Sequence, residues 1–100
     1  MPHIRAGIAF AHLIAGRYGE ASATADQLLR ERPDWHIGLR IAAASNALAG
    51  RTKDAQNAMV RLREIDPLLR LSDLKGLTPL RRPQDLAMFT KGMREAGLPE

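Results

Sequence analysis

Three observations predict an all-α chain built from helical hairpins that repeat along the sequence. The apolar residues are mostly Ala and Leu, with one Val and four aromatics. Ala and Leu enter helices readily, whereas β-branched and aromatic side chains favour strands. Within residues 1–67, a shift of 34 aligns seven identities: Ala9/Ala43, Ala15/Ala49, Gly16/Gly50, Arg17/Arg51, Ala21/Ala55, Leu28/Leu62 and Pro33/Pro67. The glycines and prolines in that set fall where a helix must turn or stop, and the alanines where two helices must pack closely.

The elements follow in order. A first helix runs from about Pro2 to Ala15 and ends at Gly16, which can take the left-handed conformation that closes a helix. A second runs from about Gly19 to Arg32, with Ala21, Ala25 and Leu28 on one face at i, i+4, i+7. Pro33 disfavours helical geometry at Arg32, and Asp34 is the expected cap of the next helix. The second hairpin repeats the plan: Asp34 to Ala49, then Gly50, then about Thr52 to Asp66, then Pro67, with Thr52 as the expected cap. Ala55, Met59 and Leu62 form its matching stripe, and Ala9 and Ala43 are small so that neighbouring axes can approach.

Ala9, Gly16, Tyr18, Ala21 and Pro33 in the first copy, with Ala43, Gly50, Ala55 and Pro67 in the second, resemble the tetratricopeptide repeat family. The resemblance covers residues 1–67 and implies a right-handed α-solenoid fragment of two hairpins, 1–33 and 34–67. The units depart from the family pattern: Arg5 and Leu39 stand where a large aromatic is usual, and His12 and Asn46 where another is preferred one turn before the glycine. The family fold puts the first helix of each hairpin on the inner, concave face. Carried over by register, that face holds His3, Ala6, Phe10 and Leu13, then Ile37, Arg40, Ala44 and Ala47. The expected partner-binding residues are Ala6, Phe10, Leu13, Ile37, Arg40 and Ala44, and alanine at Phe10 and Leu13 is expected to abolish binding with helicity intact. Relatives that clamp a terminal carboxylate use Lys and Asn on this face. Phe10 and Ala44 supply neither, so that mode is not expected.

The period breaks after Pro67, because Leu77, Gln84 and Phe89 stand where a third copy needs a small residue, glycine and alanine. Residues 68–82 read as a linker with a short helical turn around Leu71 to Lys75, then a loop with Gly76 and Pro79. A capping helix over 83–100 begins at Pro83, which suits the first helical position. Its stripe is Leu86, Phe89, Met93 and Ala96, and Gly97, Leu98 and Pro99 close it. That helix can cap the array with one polar face outward, fold back onto the inner face as a lid, or exchange with a second copy. The tail, with Leu71-Ser72-Asp73-Leu74, Arg82-Pro83-Gln84-Asp85-Leu86 and Gly92-Met93-Arg94-Glu95-Ala96-Gly97-Leu98-Pro99, resembles the extreme C-terminus of some large bacterial regulators. In those proteins, similar repeats follow a nucleotide-cyclase-like or winged-helix domain. The resemblance implies a segment of a larger regulator, and the first helix, with no capping residue and no polar cover, agrees with a missing preceding repeat.

Chemistry is not signalled. His3 and His12 are nine apart, on opposite sides of a helix, and without cysteine there is no zinc-ligand set. His12 reads as an interhelix packing residue, and Trp35 as packing at the junction of the hairpins. Ser22, Ser45 and Ser72 lack a positioned base, and the glycines sit at helix ends rather than in a phosphate-binding loop. No enzymatic role, cofactor or metal is expected. The net charge of +4 comes from Lys and Arg scattered among acids, with only Arg81-Arg82 adjacent. A nucleic-acid partner is therefore not expected; a basic binder would instead lose affinity steeply with salt. No apolar run approaches the ~20 residues of a membrane span. Ala6 to Gly16, before Ala21-Ser22-Ala23, mimics a short leader. His12, Arg17 and Glu20 interrupt that reading, and the repeat accounts for the same residues. The expected function is a cytoplasmic protein-interaction scaffold that binds a protein or peptide. The alternative is a structural cap that self-associates as a homodimer.

Overall fold

The computed structural model describes residues 2–74 and 82–99. They form α1 (Pro2–Ile14), α2 (Tyr18–Glu31), α3 (His36–Leu48), α4 (Thr52–Ile65), a 3-10 turn at Leu71–Asp73, and α5 (Pro83–Ala96), with no strand among the described residues.

The period of 34 is written into the backbone. After α1, the Gly16 N–H donates to the Leu13 carbonyl at 3.0 Å and the Arg17 N–H to the His12 carbonyl at 2.8 Å. After α3, the Gly50 N–H donates to Ala47 at 3.1 Å and the Arg51 N–H to Asn46 at 2.7 Å. This pair of bonds satisfies carbonyls that the helix end would leave orphaned, and it needs a positive φ at the glycine. Gly16 and Gly50 supply it with φ of 80° and 83°. The next residues, Arg17 and Arg51, match in turn at φ/ψ of −89°/70° and −91°/69°. Each turn is so short that the helices it joins fold back on each other, and α1 packs on α2 as α3 packs on α4.

Two expected caps are corrected. Asp34 caps nothing: the residue before α3 is Trp35, with no side-chain cap, and the Asp34 carboxylate instead pairs with Arg61 of α4. Thr52 is already the first helical residue, because Arg51 holds the non-helical position that precedes α4. The expected short helical turn opens as a 3-10 turn at Leu71–Asp73, where the Arg70 N–H donates to the Asp73 carboxylate at 2.9 Å, and Leu74 is helical as well. Lys75 and the loop with Gly76 and Pro79 lie outside the described residues.

The centre of the molecule is α3. Gly38 through Asn46 are all buried, because α1, α2, α4 and α5 pack around this helix. The sequence explains why it can be surrounded: apart from Arg40 and Asn46 its buried stretch is apolar or small, and such a helix finds its place inside a core. Ala9, Ala43 and the stripes Ala21/Ala25/Leu28 and Ala55/Met59/Leu62 are buried as their spacing predicts.

Helix α5 begins at Pro83, with Asp85 in its first turn accepting from the Arg82 guanidinium at 2.8 Å. It ends at Gly97 with φ of 113°, where the Leu98 N–H donates to Met93 at 3.0 Å. Phe89, Met93, Ala96 and Leu98 are buried. The chain end is tied back to the 3-10 turn by the Leu71 N–H donating to the Pro99 carbonyl at 2.9 Å.

Candidate functional site

Of the residues expected to meet a partner, none stands fully open. Leu13 and Ala44 are fully buried, Ala6 and Arg40 nearly so, and Phe10 and Ile37 are half-buried. Part of the cover is the chain's own last helix. The Phe10 and Phe89 rings meet with centroids 5.9 Å apart at an interplanar angle of 50°, a tilted arrangement that aromatic pairs favour. A side-chain carbon added to Gly92 would stand 2.9 Å from the Ala44 carbonyl oxygen, so α5 and α3 touch backbone to backbone at two small residues. Helix α5 thus lies on the face that the repeat register assigns to binding, gripping Phe10 on α1 and Ala44 on α3. Leu13 belongs to the core, so alanine there removes packing as well as any contact.

Arg40 is buried on the same helix, and its Nε has no hydrogen-bond partner among the described residues. Desolvation lowers its pKa, opposed by the charge of Asp66. It is an interior cation, not an open contact.

A polar cluster joins α2 to α3. Ser22 Oγ donates to Asn46 Oδ1 at 2.6 Å, Asn46 Nδ2 donates to the Ala42 carbonyl at 2.9 Å, and Arg51 Nη1 donates to Ser22 Oγ at 3.2 Å. Both Ser22 and Asn46 are buried. Here lies the reason for asparagine at a position where the repeat pattern prefers an aromatic: its amide spans the helix interface and satisfies a buried hydroxyl. Alanine at Asn46 should cost about 1–3 kcal/mol, the usual penalty for stranding buried polar groups. Urea unfolding measures it, and replacing Ser22 by alanine in the same chain should recover part of the loss. The counterpart of Asn46 in the first hairpin is His12. Its Nδ1 accepts from Arg17 Nε at 3.0 Å and lies 3.3 Å from the Glu20 carboxylate, a packing and hydrogen-bonding role across the α1–α2 turn.

On another side, a cleft of about 320 Å³ runs between α2, α3 and α4, lined by Asp26, Leu29, Asn46, Asp54, Asn57 and Arg61. Partial burial, and then the charge of Asp54, raise the pKa of Asp26. No group of three or more His, Cys, Asp or Glu side chains able to hold a metal occurs among the described residues. None of their helices is long and apolar enough to cross a membrane.

The surface that the sequence marks only as a first helix without polar cover is the outer side of α1. Ile4, Ile8 and Ile14 are 62%, 47% and 44% exposed, and Gly7, Ala11 and Ala15 beside them are exposed as well. The single Lys or Arg of the helix, Arg5, is engaged with Glu31 of α2. The signal was available in the 34-residue register, which sets Ile4, Gly7, Ile8 and Ala11 against Gly38, Ile41, Ala42 and Ser45. The second set is buried and the first is bare.

Comparison of the chain with family models, with curated proteins and with solved structures found no match.

Proposed function

We propose that this chain is a protein-interaction module of the tetratricopeptide type, working through helix-on-helix contact. The observation that carries the reading is the uncovered apolar stripe of α1, with three isoleucines open to solvent on a helix whose one Lys or Arg is Arg5. Contiguous exposed apolar surface of this kind marks interaction sites, because water-exposed isoleucines gain about 1.5–3 kcal/mol each when fully buried. The reproduction of turn geometry at the 34-residue step supports the repeat type. The inner first-helix face is the secondary surface: α5 occupies part of it, so a ligand there competes with an intramolecular helix. The resemblance of the tail to the C-termini of large bacterial regulators suits a contact-making segment of a regulatory assembly.

The test is a selection of helical peptides from a random library against the purified chain. Enriched peptides should be amphipathic and should lose at least tenfold in affinity on the variant carrying Ile4→Lys and Ile8→Lys, whose far-UV spectrum should match the parent. No enrichment, or binding that ignores the two lysines, defeats the reading.

Self-association is the second reading, favoured by the same stripe: Gly7 and Ala11 lie beside the isoleucines and let a second helix come close.

A further inference from the structure

The molecule contains one interface that says what belongs on the bare side of α1: its own α2–α3 contact. Helix α3 receives α2 at Gly38 and Asn46, and Ile41, Ala42 and Ser45 between them are buried. Leu28 and Leu29 of α2 close on Gly38, where an added side-chain carbon would lie 3.2 Å from Leu29 Cδ2 and 3.8 Å from Leu28 Cβ. About two turns earlier along α2, Ser22 is hydrogen-bonded to Asn46. Moving this interface back by the 34-residue step lays it on Ile4, Gly7, Ile8, Ala11 and His12. Both the backbone turns and the buried stripes obey that step, so α1 presents a shelf of the same kind, exposed at Ile4, Gly7, Ile8 and Ala11.

We infer that the outer side of α1 is a stacking interface for a further helical hairpin, set one repeat step before the first and docking through a helix of α2 chemistry. This deepens the interaction-module reading and rests on it. The shelf also specifies how the docking helix differs from α2. Ile4 replaces Gly38, so the residue facing it must be smaller than Leu29. Gly7 replaces the buried Ile41 and a side-chain carbon there would meet open space, so the partner presents a larger apolar residue at that level.

The occupant is a separate hairpin rather than a second copy stacked head to tail. In this chain the α2 stripe is already spent on α3. The corresponding α4 positions hold Gln56, Met59, Leu62 and Arg63 in place of Ser22, Ala25, Leu28 and Leu29. Met59 and Leu62 are buried within their own chain, which leaves exposed Arg63 to face Ile4 and exposed Gln56 to face His12. A guanidinium on an isoleucine shelf gains little and loses hydration.

The experiment fuses an extra copy of residues 2–34 before the full chain, in register, with Leu29→Ala in the added copy to make room for Ile4. Docking predicts that the α1 amides of the original chain exchange at least tenfold more slowly. It also predicts one cooperative urea transition with a larger m-value, and Ile8→Lys in the original α1 should reverse both changes. Unchanged α1 exchange with two separate transitions overturns the inference, provided α3–α5 exchange shows the original chain folded. Light scattering of the unfused chain supplies the other arm. A concentration-dependent dimer that Ile8→Lys abolishes would give the shelf to a second copy, overturning this occupant while sparing the interaction module. A monomer whose tandem form fails to dock, and which selects no peptides, would remove both.

Discussion

Alanine at Phe89 should destabilise the protein by about 3–5 kcal/mol, the usual cost of deleting a fully buried phenylalanine. Phe89 is fully buried and its ring leans on Phe10, so the substitution removes both a large apolar volume and the aromatic pair that holds α5 to α1. Natural domains have only about 5–15 kcal/mol of stability, and a melting temperature lower by about 12 °C or more is the expected calorimetric result. The substitution also separates two roles for α5. If it is fixed to the core like any other helix, the variant loses global stability in a single transition. If it is a lid, α5 amides exchange fast while α1–α4 stay protected, and the half-buried Phe10 becomes available to ligand. A change below about 1 kcal/mol would contradict the packing described here.

The second large effect is expected at Gly92. Replacing it by valine puts branched carbons where a single carbon already approaches the Ala44 carbonyl oxygen to 2.9 Å and Leu48 Cδ1 to 3.1 Å. The nearest atoms are backbone, which cannot rotate aside, so α5 must shift away from α3. Overpacking of this kind costs about 1–3 kcal/mol. Even alanine is informative. In an exposed helix it gains up to about 1 kcal/mol over glycine, whereas here that gain meets a steric clash. Gly92→Ala should therefore fail to stabilise, and Gly92→Val should lower the urea midpoint clearly. Equal or greater stability for the valine variant would mean that α5 does not rest on Ala44.

The contrast between glycines shows what a sequence discloses. Gly16, Gly50 and Gly97 announce themselves by position, because a helix end with a following polar or proline residue calls for a positive φ. Helix existence, the hairpin turns and the buried stripes were legible for the same reason: they follow from local chemistry and a visible period. Gly92 was not legible, since its reason lies in a contact with Ala44, far away along the chain. The caps assigned to Asp34 and Thr52 failed because short-range propensity competes with tertiary partners. Arg61 draws Asp34 away, and the turn bond from Arg51 to Asn46 fixes where α4 begins. The candidate site was half legible. Register placed Ala6, Phe10 and Leu13 on α1 and Ile37, Arg40 and Ala44 on α3, but gave no sign of the helix that lies over Phe10 and Ala44. The lack of polar cover on α1 was visible in its composition, and comparing each of its positions with the buried counterpart one repeat on locates the bare stripe.

The way the helices are joined also bears on how the chain acquires its structure. The contacts of α1 with α2, α2 with α3 and α3 with α4 are between sequence neighbours, the low-contact-order pattern associated with folding in microseconds to milliseconds. The Phe10–Phe89 pair instead links the two ends of the chain, and it must wait for most of the intervening loop entropy to be surrendered. The ring contact therefore belongs on the native side of the folding barrier, where it governs how long the molecule stays folded rather than how quickly it forms.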